Sequence, residues 1–161
     1  MIKRLREETG AGVMDAKRAL EEAGGDMAGA KAVLREKGMA TAAKKSERAT
    51  NQGMVESYIH AGGRIGVLVE VNCETDFVAK TPEFQQLARD IAMQVAAMQP
   101  LVVESGQRTP EMEGSEEEVV LLAQPFIRDG SRTIGDLVKD AIARYGENIR
   151  VARFSRFELG G

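Results

Sequence analysis

The side chains able to do covalent chemistry are few. The chain has one histidine, His60, and one cysteine, Cys73. A Ser/His/Asp triad would have to use His60, which falls in an alternating apolar–polar run, and no GxSxG turn is present to carry a nucleophile. One His and one Cys make no ligand set for structural zinc and no intrachain disulfide. Gly10-Ala11-Gly12 is half of a dinucleotide fingerprint and follows a helical pattern rather than a strand. The phosphate-loop pattern GxxxxGK followed by Ser or Thr is missing. Carboxylates are numerous, yet none is paired in an apolar run that would raise its pKa. The residues therefore point to binding rather than bond making. The expectation is a protein that is not an enzyme, with no catalytic residue, metal, cofactor or small-molecule substrate.

The remaining candidates are recognition elements. NCETDFVAK, Asn72 to Lys80, joins a run that reads as a buried strand (GRIGVLVEV) to one that reads as a helix start (TPEFQQLARD). Connecting turns are ordinarily built from small polar residues. This one carries Phe77 beside Asp76, in a chain with 4% aromatic residues, no Trp and five Phe. A ring held between two anchored elements loses little entropy when it enters a partner, so it suits a wedge. The plainer alternative is a core ring folded back beside Phe84. Lys44, Lys45 and Arg48 offer phosphate contacts, but a solvated helix face explains them without any function.

Composition narrows the class. The chain has 161 residues, 43% hydrophobic and 29% charged, the profile of a globular protein. The net charge of -3 argues against general affinity for nucleic acid. The charge is uneven: residues 1–52 hold 11 Lys and Arg against 8 Asp and Glu, net +3, which leaves -6 for the rest. No apolar run approaches the ~20 residues that span a bilayer, and MIKRLREETG lacks a signal-peptide core. A cytoplasmic location with no membrane contact is the expectation, the alternative being a mature organellar protein whose targeting segment is gone.

Three short helices are predicted over residues 2–38, stopped by Gly10, by Gly24-Gly25 and by Gly38, with Asp26 capping the third. Residues 1–39 thus form an N-terminal module, and residues 40–52 an exposed helical linker. From Met54 the period changes to two. MVESYIH and RIGVLVEVNC read as a hairpin turning at Ala61-Gly62-Gly63, with Ile65, Val67, Val69, Val71 and Cys73 on one face. Thr81-Pro82 starts a helix whose Phe84, Leu87, Ala88, Ile91 and Val95 face the sheet. Residues 104–118 read as an acidic loop, with Ser115 and Glu118 at capping-box spacing. Thr133 to Tyr145 reads as another amphipathic helix, and Arg150 to Leu159 as a third antiparallel strand. The fold class is α+β: a three-helix bundle, then, over residues 53–161, a small three-stranded antiparallel sheet covered by helices.

Two stretches carry a family pattern. LREETGAGVMDAKRALEEAGGD, Leu5 to Asp26, resembles the N-terminal signature of bacterial elongation factor Ts, and NCETDFVAK resembles its second signature. The likeness extends through AAKKSER, YIHAGGRIGVLVEVNCETDFVA and VVLLAQPFIRD to RFSRFELG, nearly the whole chain. The resemblance implies a ubiquitin-associated-like bundle. It also implies a guanine-nucleotide exchange factor that binds the GDP form of the translational GTPase elongation factor Tu and expels the nucleotide. By the same resemblance, Arg6, Val13 and Met14 dock the bundle on the GTPase, with Lys17 nearby. Thr75, Asp76, Phe77 and Val78 form the segment that disturbs the Mg²⁺ site.

The chain looks like the short bacterial type, without the long insertion and duplicated core half of larger members. The segment ahead of VVLLAQPF is cut to about residues 104–118. Short members tend to form homodimers; Ser155 in the last strand excludes a covalent one through that strand. Three alternatives stay open: a ubiquitin-type helical adaptor, an RNA-binding module using Lys44, Lys45 and Arg48, and a shortened form that binds the GTPase without efficient exchange.

Overall fold

Glycine and threonine punctuate the chain at most of the expected positions, Gly38 excepted. The computed structural model describes residues 1–161. Helices α1 (Ile2–Thr9), α2 (Val13–Glu22) and α3 (Met27–Lys45) come first. Gly10 ends α1 at φ +71°, a left-handed conformation that closes a hydrogen bond from its N–H to the Arg6 carbonyl. Asp26 caps α3 by accepting from the Gly29 N–H at 2.7 Å. The three helices bury Leu5, Ala16, Ala19, Leu20 and Ala30, with Ile2, Met27, Val33 and Leu34 packed around them. This core is thin, since three of its five buried residues are alanines.

Gly38 does not close the third helix. α3 runs on to Lys45, so the expected linker helix is the same helix continued. A glycine costs a helix roughly 1 kcal/mol, and the Ala-rich turns that follow, with Ala42 buried, outweigh that local cost. At Gly38 an added Cβ would sit 3.6 Å from that of Ala143, ordinary contact.

The chain divides into two compact units. One holds Met1–Arg48 and Lys139–Asn148; the other holds Ala49–Val138 and Ile149–Gly161. In the first, Asn148 is 4% exposed and ties the end of the α3 turn by donating to the carbonyls of Ser46 (3.3 Å) and Arg48 (2.7 Å).

The second unit is built on β1 (Gln52–Ile59), β2 (Ile65–Cys73) and β5 (Arg150–Glu158), antiparallel in the order β1-β2-β5. Register pairs Met54 with Val71 and Tyr58 with Val67 on one side, and Val69 with Phe154 on the other. Gly53 is irreplaceable by sterics: at φ +144° a Cβ there would lie 2.1 Å from the Val71 carbonyl oxygen. Helix α5 (Pro82–Met98) covers one face of the sheet. Its Phe84, Leu87, Ala88, Ile91 and Val95 bury Val67, Val69, Val71 and Cys73, as the period-two and period-3.6 patterns predict. The protein is α+β, with an N-terminal helical part and a small antiparallel sheet of three strands.

The stretch after α5 holds more structure than the sequence suggests. Residues 104–118 contain a 3₁₀ turn, Ser105–Gln107, and lead into the one-turn α6 (Glu116–Val119), where Ser115 and Glu118 form the anticipated capping box. VVLLAQPF does not continue as a helix. It makes a 3₁₀ turn, Leu121–Ala123, then a hairpin of β3 (Pro125–Phe126) and β4 (Asp129–Thr133). Two buried glutamines fix this turn. Gln94 of α5 donates to the Pro125 carbonyl (3.0 Å) and to Gln124 (3.3 Å) and accepts from the Ile127 N–H (3.0 Å). Gln124 donates to the Glu118 carbonyl at 2.9 Å. Helix α7 (Ile134–Tyr145) follows, its start fixed by reciprocal Thr133–Asp136 hydrogen bonds. No helix is long and apolar enough to cross a membrane.

Candidate partner-binding site

In the first unit, α2 is two-faced. Ala16, Ala19 and Leu20 turn inward, while Val13 (49% exposed), Met14 (57%) and Lys17 lie outward. Val13, Met14 and Lys17 occur at steps of one and three, so they share a side of the helix. Arg6 projects from α1, and its Nε donates to the Ala11 carbonyl at 3.4 Å, in the loop just before α2. The four sequence-predicted residues of the module thus gather around one α1–α2 corner. Lys17 pairs loosely with Glu21 at 3.8 Å, one turn on along its helix. Nearby, Glu8 receives Arg4 and Lys31, whose hydrogen bonds hold its carboxyl below the usual range. Both the apolar pair and the two cations stay accessible, a combination suited to protein recognition.

In the second unit, the NCETDFVAK connection is not a simple turn. It contains helix α4 (Asp76–Ala79), one turn long, with Thr75 as N-cap accepting from the Val78 N–H at 3.3 Å. A Thr followed by a terminal turn of helix is a local signal, but a four-residue helix is too short to announce itself by periodicity. Thr75 and Asp76 are exposed, and Asp76 pairs with Lys80 at 3.3 Å one turn later. Phe77 is 79% exposed, the most exposed large apolar side chain of the molecule. Val78 differs from the other three, since it is 5% exposed and points inward with Ala79. It anchors the segment rather than displaying itself.

The sheet holds a third patch that the sequence reading passed over. Opposite α5, Val55 (63% exposed), Ile59 (66%), Leu68 (50%) and Phe157 (72%) stand on the uncovered face. Register places Gly66 between Ile59 and Phe157, so their rings and branches flank one row, with Leu68 in the next. Glu70 and Arg153 close the patch with a 2.9 Å ion pair, which holds the Glu70 carboxyl below its usual range. The signal was present in sequence: Val55 and Ile59 alternate in β1, and Leu68 is the apolar residue on the outer side of β2.

A helical corner and a helical turn thus each display apolar side chains from fixed backbone in this mixed α/β protein. Comparison with known proteins gives its family. The family model for "Elongation factor TS" matches residues 7–112. Curated relatives named elongation factor Ts include those of Carboxydothermus hydrogenoformans (50% identical, 99% of this chain and 88% of the relative), Rubrobacter xylanophilus (46%, 98% and 96%) and an Anaeromyxobacter strain (50%, 99% and 87%). The chain belongs to the elongation factor Ts family, and its role is that of a translation elongation factor in protein biosynthesis. The first of these alignments spans 190 positions against a chain of 161 residues, so relatives carry at least 29 residues without a counterpart here.

Proposed function

We infer that the protein binds elongation factor Tu in its GDP form and promotes GDP release by disturbing the Mg²⁺ and nucleotide site. The observation that supports this reading most is Phe77, an exposed ring on a short helix between β2 and α5. Mg²⁺ ties nucleotide phosphates to a GTPase, so a state in which the metal loops are displaced binds GDP weakly. If the pocket for Phe77 opens only in that state, burying the ring, worth about 1.5–3 kcal/mol, shifts the balance toward it. In this reading Asp76, exposed beside the ring, hydrogen bonds with the displaced loops. Domains follow the same reading: an N-terminal docking module, its helical extension, and an α+β core that carries the wedge. Release of fluorescent GDP from elongation factor Tu, followed by stopped flow with and without the protein, tests it. Acceleration supports exchange; binding without acceleration points to the shortened, exchange-poor form.

The α1–α2 corner supplies affinity in this scheme. Met14→Ala is expected to weaken complex formation about fivefold to thirtyfold, the range for truncating one well-packed interface side chain. The release rate at saturating protein should not change, because docking contacts present throughout lower half-saturation only. Titration calorimetry beside the release assay checks this, and equal affinity would remove the corner from the interface.

The family likeness also implies a homodimer, and the open sheet face is the surface that favours it. An exposed apolar patch on one face of a sheet suits face-to-face packing against a second sheet at ~10 Å. Leu68→Glu should convert the dimer to monomer in sedimentation velocity while leaving the far-ultraviolet circular dichroism unchanged. A wild-type protein that is monomeric at tens of micromolar would defeat the idea.

A further inference from the structure

Helix α4 is one turn long, and one turn of helix is unfavourable alone because nucleation fixes several dihedrals for one hydrogen bond. Its persistence depends on what grips it. From below, Val78 and Ala79 are buried at 5% and 8% exposure. At the front, the Thr75 carbonyl accepts from the Ala79 N–H (3.3 Å) and from the thiol of Cys73 (3.1 Å), which is fully enclosed at the end of β2. At the back, the Val78 carbonyl accepts from both the N–H (3.0 Å) and the hydroxyl (2.8 Å) of Thr81. The same hydroxyl oxygen accepts from the Phe84 N–H at 3.3 Å, capping α5. One side chain from the sheet and one from the helix cap thus hold the two ends of the turn that carries Phe77.

We propose that Cys73 and Thr81 are positioning residues for nucleotide exchange, bracing α4 so that Phe77 meets the GTPase already oriented. The proposal rests on the reading of Phe77 as the wedge. A loosely held turn would have to be ordered at the moment of insertion, and that entropy cost falls on the step that expels GDP rather than on docking. Thiols are weak donors, so the hydroxyl should matter more than the thiol.

The test uses the full chain with elongation factor Tu loaded with fluorescent GDP. Thr81→Asp keeps an acceptor for the Phe84 N–H but has no proton to give the Val78 carbonyl. Cys73→Ala removes the front donor, while Thr81→Ser and Cys73→Ser keep theirs. Thr81→Asp should lower the release rate at saturating protein about threefold to tenfold, the factor that one net hydrogen bond is worth, and Cys73→Ala, which loses a weaker donor, about twofold to threefold. Half-saturation should stay within about twofold, since docking contacts made throughout set it separately from the release step, and both Ser variants should restore the rate. Unchanged rates, a loss confined to half-saturation, or an equal loss in the Ser variants would overturn the bracing. The two ends are independent, so if one variant does not fold the other decides. Phe77→Ala run in parallel separates the two ideas. Should it leave the rate unchanged, the wedge itself is wrong. Should it slow release while Thr81→Asp and Cys73→Ala match the wild type, only the bracing is wrong.

Discussion

Phe77→Ala is expected to leave the fold and its stability unchanged and to slow stimulated GDP release about tenfold to a hundredfold. The stability half follows from exposure. A ring that is 79% exposed buries little against its own protein, and none of the hydrogen bonds of α4 uses the side chain. The rate half follows from differential binding. Burial of a Phe is worth about 1.5–3 kcal/mol, and each 1.36 kcal/mol realised only in the metal-displaced state is a factor of ten. The two affinities should respond differently. Binding to nucleotide-free GTPase should weaken by the same factor as the rate, whereas binding to the GDP form should hardly change. That split distinguishes a wedge from a docking contact, for which both affinities fall together as they do for Met14→Ala. If release by the Ala variant matches the wild type, the ring does not enter the nucleotide domain.

One ring is insufficient alone. A 10⁴-fold shift between states takes about 5.5 kcal/mol of differential binding, so Phe77 supplies about half at best. The rest has to come from other contacts made only in the displaced state, Thr75 and Asp76 among them, because a docking module engaged throughout adds no differential binding. The residues of the Carboxydothermus hydrogenoformans relative without a counterpart in this chain contribute nothing here.

The parts of the fold legible in sequence are those that repeat. Five alternating apolar positions from Ile65 to Cys73 announce β2, and steps of three and four from Phe84 to Val95 announce α5, because a buried face imposes its period over several turns. Caps were legible too: Asp26, Thr81 and the Ser115–Glu118 pair act locally, so a few residues suffice. What escaped was decided by distant contacts. The end of α3 was misplaced because Gly38 signals a stop only if the following turns do not favour helix. The turn and hairpin from Val119 to Thr133 depend on Gln94, about 30 residues away in the chain. Of the candidate sites, the aromatic at Phe77 was conspicuous by type. The grip on it was not, because Cys73 reads as a small core residue and Thr81 as a cap until their second hydrogen bonds are seen.

Gln94→Leu should be a severely damaging change to stability, lowering it by about 2–5 kcal/mol. The side chain is fully enclosed and makes three hydrogen bonds, so a leucine of similar bulk strands the Ile127 N–H, the Pro125 carbonyl and one side of the Gln124 amide. An unsatisfied buried polar group costs about 1–3 kcal/mol, and partial access of water to the hairpin keeps the total below a simple sum. Against a typical domain stability of about 5–15 kcal/mol, this is a large share. Urea titration should show a lower midpoint at unchanged slope, and amide exchange should quicken first at Ile127 and Gln124. A loss under 1 kcal/mol would mean that the VVLLAQPF turn holds itself without the clasp. Exchange activity below the unfolding range should survive, because Gln94 lies three turns along α5 from the Thr81 cap that bears on Phe77. A variant that is less stable yet still stimulates GDP release at the normal rate would separate the wedge ahead of α5 from the clasp that stabilises its far end.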